Sequence, residues 1–280
     1  MGMMNEGKKQ KEGDTLRFIR EKSVSSGSTY KDVNIFSITT EQDTWHRKKK
    51  RKKLSNPKQV KQDWNYARQY ATQLVNKNFG KGDLLLDLTY AEEPETRERA
   101  EKNVLNYVNR LKTLFKREKI PFRAFWVTGG GKERKDGKDG LTRFHHHLII
   151  SGGVSREKIE DCWNAKNDNR IKCDRVKIRA QDFGLEPRVL YMVKPAHCSD
   201  KPNAKRWHTA GIFKKPTEVR NDNKYGTREF EKLVSLIRDG KAREKIERLY
   251  KGWELLDAIQ QTNPVTGLPW IRLKLKKNTS

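Results

Sequence analysis

The sequence lacks several features that assign a chain to common classes of protein. No apolar run approaches the ~20 residues that a membrane-spanning helix needs, so we expect no membrane partner. The N-terminus has no apolar segment like that of a secretory signal peptide, and we therefore expect a cytoplasmic protein. Cysteine is rare: only Cys162, Cys173 and Cys198 are present, without a CxxC pair. This pattern predicts reduced thiols and argues against a structural zinc site.

Acidic residues are scarce relative to basic ones. The chain has 62 Lys and Arg against 36 Asp and Glu, which gives a formal net charge of +26 at pH 7. A polyanion would neutralise this charge, so nucleic acid is the favoured partner and a membrane surface is the rival. The strongest cluster is a run of seven basic residues, namely Arg47, Lys48, Lys49, Lys50, Arg51, Lys52 and Lys53. We interpret this basic run as a non-specific phosphate clamp, and a solvated tail is the alternative.

Hydrophobic periodicity divides the chain into three parts. Residues 1–55 are polar and Lys-rich, which predicts a basic and mostly disordered arm, with a short strand or docking segment at 33–39. Residues 56–200 carry regular helix and strand patterns and are predicted to form the main domain. Residues 201–280 are predicted to form a basic C-terminal extension, with helical spacing at 230–237 and 246–259 and a terminal strand at 270–275. This extension either closes the domain or binds double-stranded DNA.

The main domain is predicted to be of the α+β class. Helical spacing begins near Pro57, Pro94, Ser155 and Pro187, and apolar or alternating runs predict strands at 83–90, 122–128, 144–150 and 171–178. The resulting β-α-β-β-α-β core is typical of the split βαβ arrangement found in ferredoxin-like and palm-like folds. We therefore expect an antiparallel sheet with helices packed on one face.

Three consecutive histidines open the third predicted strand, in the segment Phe-His-His-His-Leu-Ile-Ile at 144–150. Side chains alternate along a strand, so His145 and His147 share one face and His146 points to the other. Two imidazoles at this spacing are suitable ligands for one metal ion. The alternative is an incidental group of half-buried histidines at a sheet edge.

A short helix predicted around Pro187 to Lys194 places Tyr191 and Lys194 on one face, because they are three residues apart. The HxH strand followed by this Y-x-x-K helix resembles the HUH nucleases, specifically the replication initiators of rolling-circle plasmids and phages. No second tyrosine stands one turn from Tyr191, where Arg188 and Pro195 are found, so the chain resembles the single-tyrosine type.

The resemblance implies a site-specific DNA nicking-joining endonuclease. His145 and His147 would hold Mn²⁺ or Mg²⁺, Tyr191 would attack the DNA phosphodiester to form a 5′-phosphotyrosine, and Lys194 would neutralise charge. The implied partners are single-stranded origin DNA, a helicase and a polymerase of a bacterial host, and a double-stranded recognition repeat is a further candidate. The palm-like sheet of this family places the histidine strand at its centre, with the tyrosine helix across the open face.

The resemblance also directs attention to residues around the proposed site. A third metal ligand is needed, and Asp87 on a neighbouring strand or Glu133 in the glycine-rich loop would supply it, although a salt-bridged Asp87 is an equal alternative. His146 stands where the family has an apolar residue, so it should lie on the core face. Arg206, Lys214 and Lys215 belong to a basic stretch that resembles one after the tyrosine in Gram-positive initiators, which implies DNA contacts.

Two other functions agree with the same residues. Single-tyrosine transposases share the order of histidines and tyrosine. A non-catalytic basic protein that binds DNA or RNA through the same kind of sheet is the alternative outside the enzymes.

Overall fold

A computed structural model describes residues 17–45, 57–131, 141–164, 169–194, 205–263 and 266–278. The strands within these ranges are β1 (Arg17–Ser26), β2 (Tyr30–Thr39), β3 (Leu84–Thr89), β4 (Arg123–Gly129), β5 (His145–Ile150), β6 (Arg170–Arg175), β7 (His208–Gly211), β8 (Thr217–Asn221), β9 (Trp253–Thr262) and β10 (Pro269–Lys277). The helices are α1 (Thr40–Trp45), α2 (Pro57–Asn78), α3 (Arg97–Arg117), α4 (Arg156–Asn164), α5 (Glu186–Met192), α6 (Thr227–Arg238) and α7 (Arg243–Leu249).

These elements form two five-stranded antiparallel sheets. The histidine sheet has the strand order β6-β3-β5-β4-β7, and the terminal sheet has the order β8-β1-β2-β10-β9. The α+β class and the antiparallel sheet of the main domain are confirmed. The elements α2, β3, α3, β4, β5, α4, β6 and α5 follow one another in the predicted order.

Strand β5 is central in the histidine sheet, between β3 and β4. Its last three residues, Leu148, Ile149 and Ile150, are all buried, because helices cover both faces of the sheet there. This explains why the apolar run after the histidines is continuous rather than alternating. The histidines therefore lie at the start of a strand whose apolar residues pack against helices on both faces of the sheet.

Helices α3 and α4 cover one face of the histidine sheet. The side chain of Thr96 accepts a hydrogen bond from the Arg99 N–H, so α3 begins at Arg97 and not directly after Pro94. The apolar stripe of α3 packs on this face through Ala100, Val104, Val108, Leu111 and Phe115.

Helices α2 and α5 lie on the opposite face, where they contact Phe125, Val127 and Ile149. The resemblance implies that the tyrosine helix lies across this face of the sheet, and α5 lies there. The structure adds α2, whose Asn76 side chain accepts a hydrogen bond from the Leu185 N–H just before α5. The tyrosine helix is thus fixed between α2 and the sheet.

The short strand predicted at 33–39 is present as part of β2, but the prediction of a mostly disordered arm is wrong for the rest of residues 17–45. Strands β1 and β2 form a long hairpin in which Arg17 pairs with Thr39 and Ser26 with Tyr30, and β2 is central in the terminal sheet. Three apolar residues of this hairpin, Ile19, Val33 and Ile35, are buried in one cluster with residues of helices α6 and α7 near the other end of the chain. Residues 1–16 and 46–56, which include the basic run, lie outside the described residues.

Residues 201–280, predicted as an extension that closes the domain or binds double-stranded DNA, contribute strands to both sheets. Strand β7 pairs with β4 and completes the histidine sheet, while β8, β9 and β10 join β1 and β2 in the terminal sheet. The helical pattern expected at 246–259 divides into α7, which ends at Leu249, and β9, which begins at Trp253. Gly252 between them has a positive φ of 80°, which favours glycine and lets the chain reverse there.

Helices α6 and α7 cover the outer face of the terminal sheet, where Phe230, Leu233 and Ile246 pack on Ile35 and Leu273. The inner face of this sheet is turned towards α2. No helix in the described ranges is long and apolar enough to cross a membrane.

Candidate active site

The face of the histidine sheet beneath α5 brings together the residues that the sequence singled out. In the register of β3 with β5, Asp87 lies opposite His147 and Thr89 opposite His145. The ring centroids of His145 and His147 are 4.9 Å apart. The predicted pairing of the two imidazoles on one face is therefore present.

Both imidazoles are held in the same tautomer. The Nδ1 atom of His147 lies 2.5 Å from Oδ1 of Asp87, and Nδ1 of His145 lies 2.9 Å from the carbonyl oxygen of Arg143. A carboxylate and a carbonyl only accept hydrogen bonds, so each Nδ1 donates a proton, and in the neutral imidazole Nε2 then carries the lone pair. Burial lowers the pKa of His145 and keeps that lone pair available at neutral pH. This is the form in which histidine binds a metal ion.

Asp87 orients His147 instead of lying beside it as a third ligand. Its Oδ1 atom accepts hydrogen bonds from His147 Nδ1 and from Arg188 Nη2. Burial would raise the pKa of the Asp87 carboxyl, but the hydrogen bond from His147 and the charge of Arg188 together lower it below its ordinary value. Asp87 is therefore an ionised, salt-bridged carboxylate, and carboxylates in this position commonly fix the orientation of a ligating histidine.

Among the described residues, no group of three or more His, Cys, Asp or Glu side chains is arranged to hold a metal ion. The other predicted third ligand, Glu133, lies outside the described residues. Within the described residues, the imidazoles of His145 and His147 are therefore the candidate metal ligands.

Tyr191 lies on α5 and packs against His147. Its ring centroid is 5.1 Å from that of His147, and 47% of its surface is exposed. The Nζ atom of Lys194 lies 4.2 Å from the centre of the Tyr191 ring, and the guanidinium carbon of Arg188 lies 5.8 Å from it. The tyrosine is thus accessible to a large substrate and is flanked by two cations.

A second tyrosine near the histidines, Tyr90, follows β3 and lies on the other face of the sheet. It is only 6% exposed, and its hydroxyl lies 2.7 Å from Nε2 of His146. The hydroxyl of Thr128 lies 2.9 Å from Nδ1 of the same imidazole. Burial raises the pKa of Tyr90 and lowers that of His146, so both groups stay neutral. The prediction that His146 lies on the core face is confirmed.

The predicted DNA-contacting residues of the 205–216 stretch lie on or beside the edge strand β7. The guanidinium of Arg206 stacks 4.5 Å from the centre of the Trp64 ring, and the backbone of Lys214 is hydrogen-bonded to Asn78 of α2. Lys215 is exposed. Trp207 stacks on Phe125 of β4 at a centroid distance of 6.1 Å. This stretch is therefore anchored to the histidine sheet and presents its cations beside it.

Arg188 is the site residue that the sequence analysis did not assign. It connects Asp87 to Tyr191, and the signal for it was its position three residues before the tyrosine on the same helix.

The likeness to HUH nucleases thus depends on the arrangement of His145, His147 and Tyr191, together with Lys194. That arrangement is local to one face of the histidine sheet. Comparison with known proteins finds no family model, no curated protein and no solved structure that matches this chain.

Proposed function

We propose that this protein is an HUH-type DNA nicking-joining endonuclease that initiates rolling-circle replication at a single-stranded origin site. The observation that carries the proposal is the placement of an exposed tyrosine, Tyr191, over His147, which forms with His145 a pair of imidazoles in metal-binding form. The net charge of +26 supports a nucleic-acid substrate. A host helicase and polymerase are expected as partners on the basis of the resemblance.

The donor set fits Mn²⁺ or Mg²⁺ when the substrate completes it. These ions accept imidazole nitrogen but prefer oxygen, and a DNA phosphate and water provide oxygen. His145 and His147 would hold the ion through Nε2, and Asp87 would keep the ring of His147 in place. When bound, the ion would polarise the scissile phosphate as a Lewis acid.

The chain itself would supply the nucleophile and the compensating charge. The Tyr191 oxygen attacks phosphorus, a P–O bond to tyrosine forms, and the bond from phosphorus to the 3′ oxygen breaks. The proton lost by the phenol ends on the released 3′ hydroxyl, so the step balances without water. Lys194 and Arg188, which flank the Tyr191 ring, would stabilise negative charge on the phenol oxygen and the phosphate. The reverse reaction rejoins the strand.

A nicking assay with two tyrosine variants tests the proposal. With an origin-containing supercoiled plasmid and Mn²⁺ or Mg²⁺, Tyr191→Phe should abolish nicking and the covalent protein–DNA adduct while leaving DNA affinity nearly unchanged. Tyr90→Phe is the matched control, because it removes a buried hydroxyl on the opposite face and should keep the adduct.

Peptide mapping of the adduct identifies the nucleophile. A phosphotyrosine at Tyr90, or a hydrolysed product with no adduct, would rule out the assignment of Tyr191. DNA binding without any cleavage would favour the alternative of a non-catalytic nucleic-acid-binding protein, which the net charge also supports.

A further inference from the structure

A second cleft lies between α2 and the inner face of the terminal sheet, and it contains none of the residues of the histidine site. Its volume is ≈ 470 Å³, within the range of about 300–1,000 Å³ typical of ligand sites. We call it the aromatic cleft, because four of its lining residues are Phe36, Tyr66, Tyr70 and Trp270.

The four rings stand on two opposed walls. Tyr66 and Tyr70 are one turn apart on α2 and are 50% and 44% exposed. The hydroxyl of Tyr66 accepts a hydrogen bond of 2.8 Å from Gln62 on the previous turn. On the sheet wall, Phe36 of β2 and Trp270 of β10 are direct cross-strand neighbours. Opposed, accessible rings of this kind are suited to stacking against another flat aromatic group.

Amide side chains lie on the wall between the rings. Gln69 and Gln73 of α2 and Asn34 of β2 line the cleft, and Gln69 donates a hydrogen bond of 3.1 Å to Asn34. Amides provide both donors and acceptors, as the edges of nucleic-acid bases do. The amide nitrogens of Gln69 and Gln73 also donate hydrogen bonds of 3.0 Å to the buried Asp32, so the cleft combines stacking surfaces with amides that this carboxylate holds in place.

Cations line the mouth of the cleft. Lys22 and Arg220 both pair with Glu218 at 2.8 Å, and about a third or more of each of these side chains is exposed. Arg20 is also a lining residue and is paired with Asp43 and Asp222. Exposed ion pairs contribute little stability, so a phosphate can replace Glu218 as the partner of Lys22 or Arg220.

We propose that the aromatic cleft binds single-stranded DNA, with bases stacked on Tyr66 and Tyr70 and phosphates on Lys22 and Arg220. A cleft lined by rings on two walls admits an unpaired base, whereas the bases of a duplex are already stacked and paired. The formal net charge of +26 supports a polyanionic occupant. This inference rests on the proposed function for its role, as a second contact for the strand that is nicked.

Binding without cleavage tests the cleft independently of the active site. In the Tyr191→Phe protein with EDTA, the affinity for a labelled single-stranded oligonucleotide is measured by fluorescence anisotropy. The double change Tyr66→Ala and Tyr70→Ala should weaken binding roughly tenfold or more, because base stacking on an aromatic ring contributes strongly to single-strand affinity. Changing both tyrosines to Phe keeps the rings and should keep the affinity, whereas changing both to Leu should not.

Two variants with the same change of charge distinguish binding in the aromatic cleft from general electrostatic attraction to phosphate. Lys22→Gln lies in the cleft, and Lys232→Gln is an equal change on α6, at the outer side of the terminal sheet. Lys22→Gln should weaken single-strand binding several-fold more than Lys232→Gln at the same salt concentration.

Each outcome decides for or against the cleft. Equal losses on single strands and on a duplex of the same sequence would overturn the choice of single-stranded DNA, and no loss would overturn the site. If the Ala and Leu variants unfold, ultraviolet crosslinking of the Tyr191→Phe protein to oligo-dT decides, since the site requires crosslinked peptides containing Tyr66, Tyr70 or Trp270. If the binding results are as expected but the protein with its native Tyr191 forms no covalent adduct with DNA, the proposed nicking function is refuted and the aromatic cleft is retained.

Discussion

The three adjacent histidines occupy two chemically different environments, because alternate side chains on a strand face opposite sides of the sheet. His145 and His147 present Nε2 lone pairs beneath Tyr191, while His146 is enclosed by hydroxyls on the other face. Substitution of His145 or His147 should therefore have a different effect from substitution of His146.

We predict that His145→Ala or His147→Ala removes Mn²⁺- or Mg²⁺-dependent cleavage but leaves most of the DNA affinity, which comes from Lys and Arg. His146→Ala should act on stability, lowering the free energy of unfolding by about 1–3 kcal/mol, since the Tyr90 and Thr128 hydroxyls lose a buried partner. Nicking rates and urea denaturation measure the two effects. Loss of cleavage in a folded His146→Ala protein, with His145→Ala still active, would contradict the assigned strand faces.

His208 on the edge strand β7 should make stability sensitive to acid. It stacks on Trp126 at 5.3 Å, and burial lowers its pKa below the ordinary 6.5. A histidine with a lowered folded pKa binds fewer protons folded than unfolded, so stability falls as pH decreases through about 6.5. His208→Phe keeps a stacking ring without the titration. Urea denaturation at pH 7.5 and 5.5 should show a smaller loss for this variant, and an equal loss would exclude His208 as a source.

At the scale of elements, a buried ion-pair network attaches the tyrosine helix to the terminal sheet. Arg272 of β10 pairs with Asp32 of β2 at 2.8 Å and with Glu186 of α5 at 3.3 Å. Lys274 also pairs with Glu186, at 2.6 Å. Glu186 lies in the first turn of α5, so this network holds the start of the helix that carries Tyr191.

We predict that Arg272→Ala lowers the free energy of unfolding by about 3–5 kcal/mol, because it removes the cation that pairs with the fully buried carboxylate of Asp32. It should also slow nicking in protein that remains folded, since α5 is less firmly placed. Arg248→Ala is the control: its pair with Glu244 is exposed, and its loss should cost less than about 1 kcal/mol. Equal effects of the two variants in urea denaturation would show that the network does not contribute.

At the scale of the whole molecule, the two ends of the described chain meet in one sheet. Strand β2 pairs with β1 on one side and with β10 on the other, and Arg272 reaches Asp32 across 240 positions of sequence. An N-terminal truncation is therefore a change to the centre of the terminal sheet, and not the removal of a separate arm.

We predict that deletion of residues 1–53 unfolds the terminal sheet, because it removes both strands of the β1–β2 hairpin. Replacing the seven residues of the basic run by Gln should keep the fold, weaken DNA binding across all sequences and reduce its salt dependence. Circular dichroism and binding titrations at several salt concentrations measure both. A folded, fully stable truncation would contradict the role assigned to β1 and β2.

The sequence alone determined the order of elements in the main domain and the two faces of the histidine strand. Each of those elements has its own period, and a strand period of two places His145 and His147 together whatever they pack against. The helix spacing likewise predicted that Tyr191 and Lys194 lie together, and Lys194 does contact the Tyr191 ring, although α5 ends at Met192 before it reaches Lys194.

Only the tertiary structure decided the role of Asp87, the part played by Arg188 and the existence of the terminal sheet. The role of Asp87 follows from the register of β3 with β5 and from the placement of α5 above them, which no local pattern encodes. Strands β1 and β2 have a weak local pattern because the groups that bury their apolar side chains come from the C-terminal part of the chain. Pairing between distant segments is a property of the whole chain, and a window of sequence contains only one of the partners.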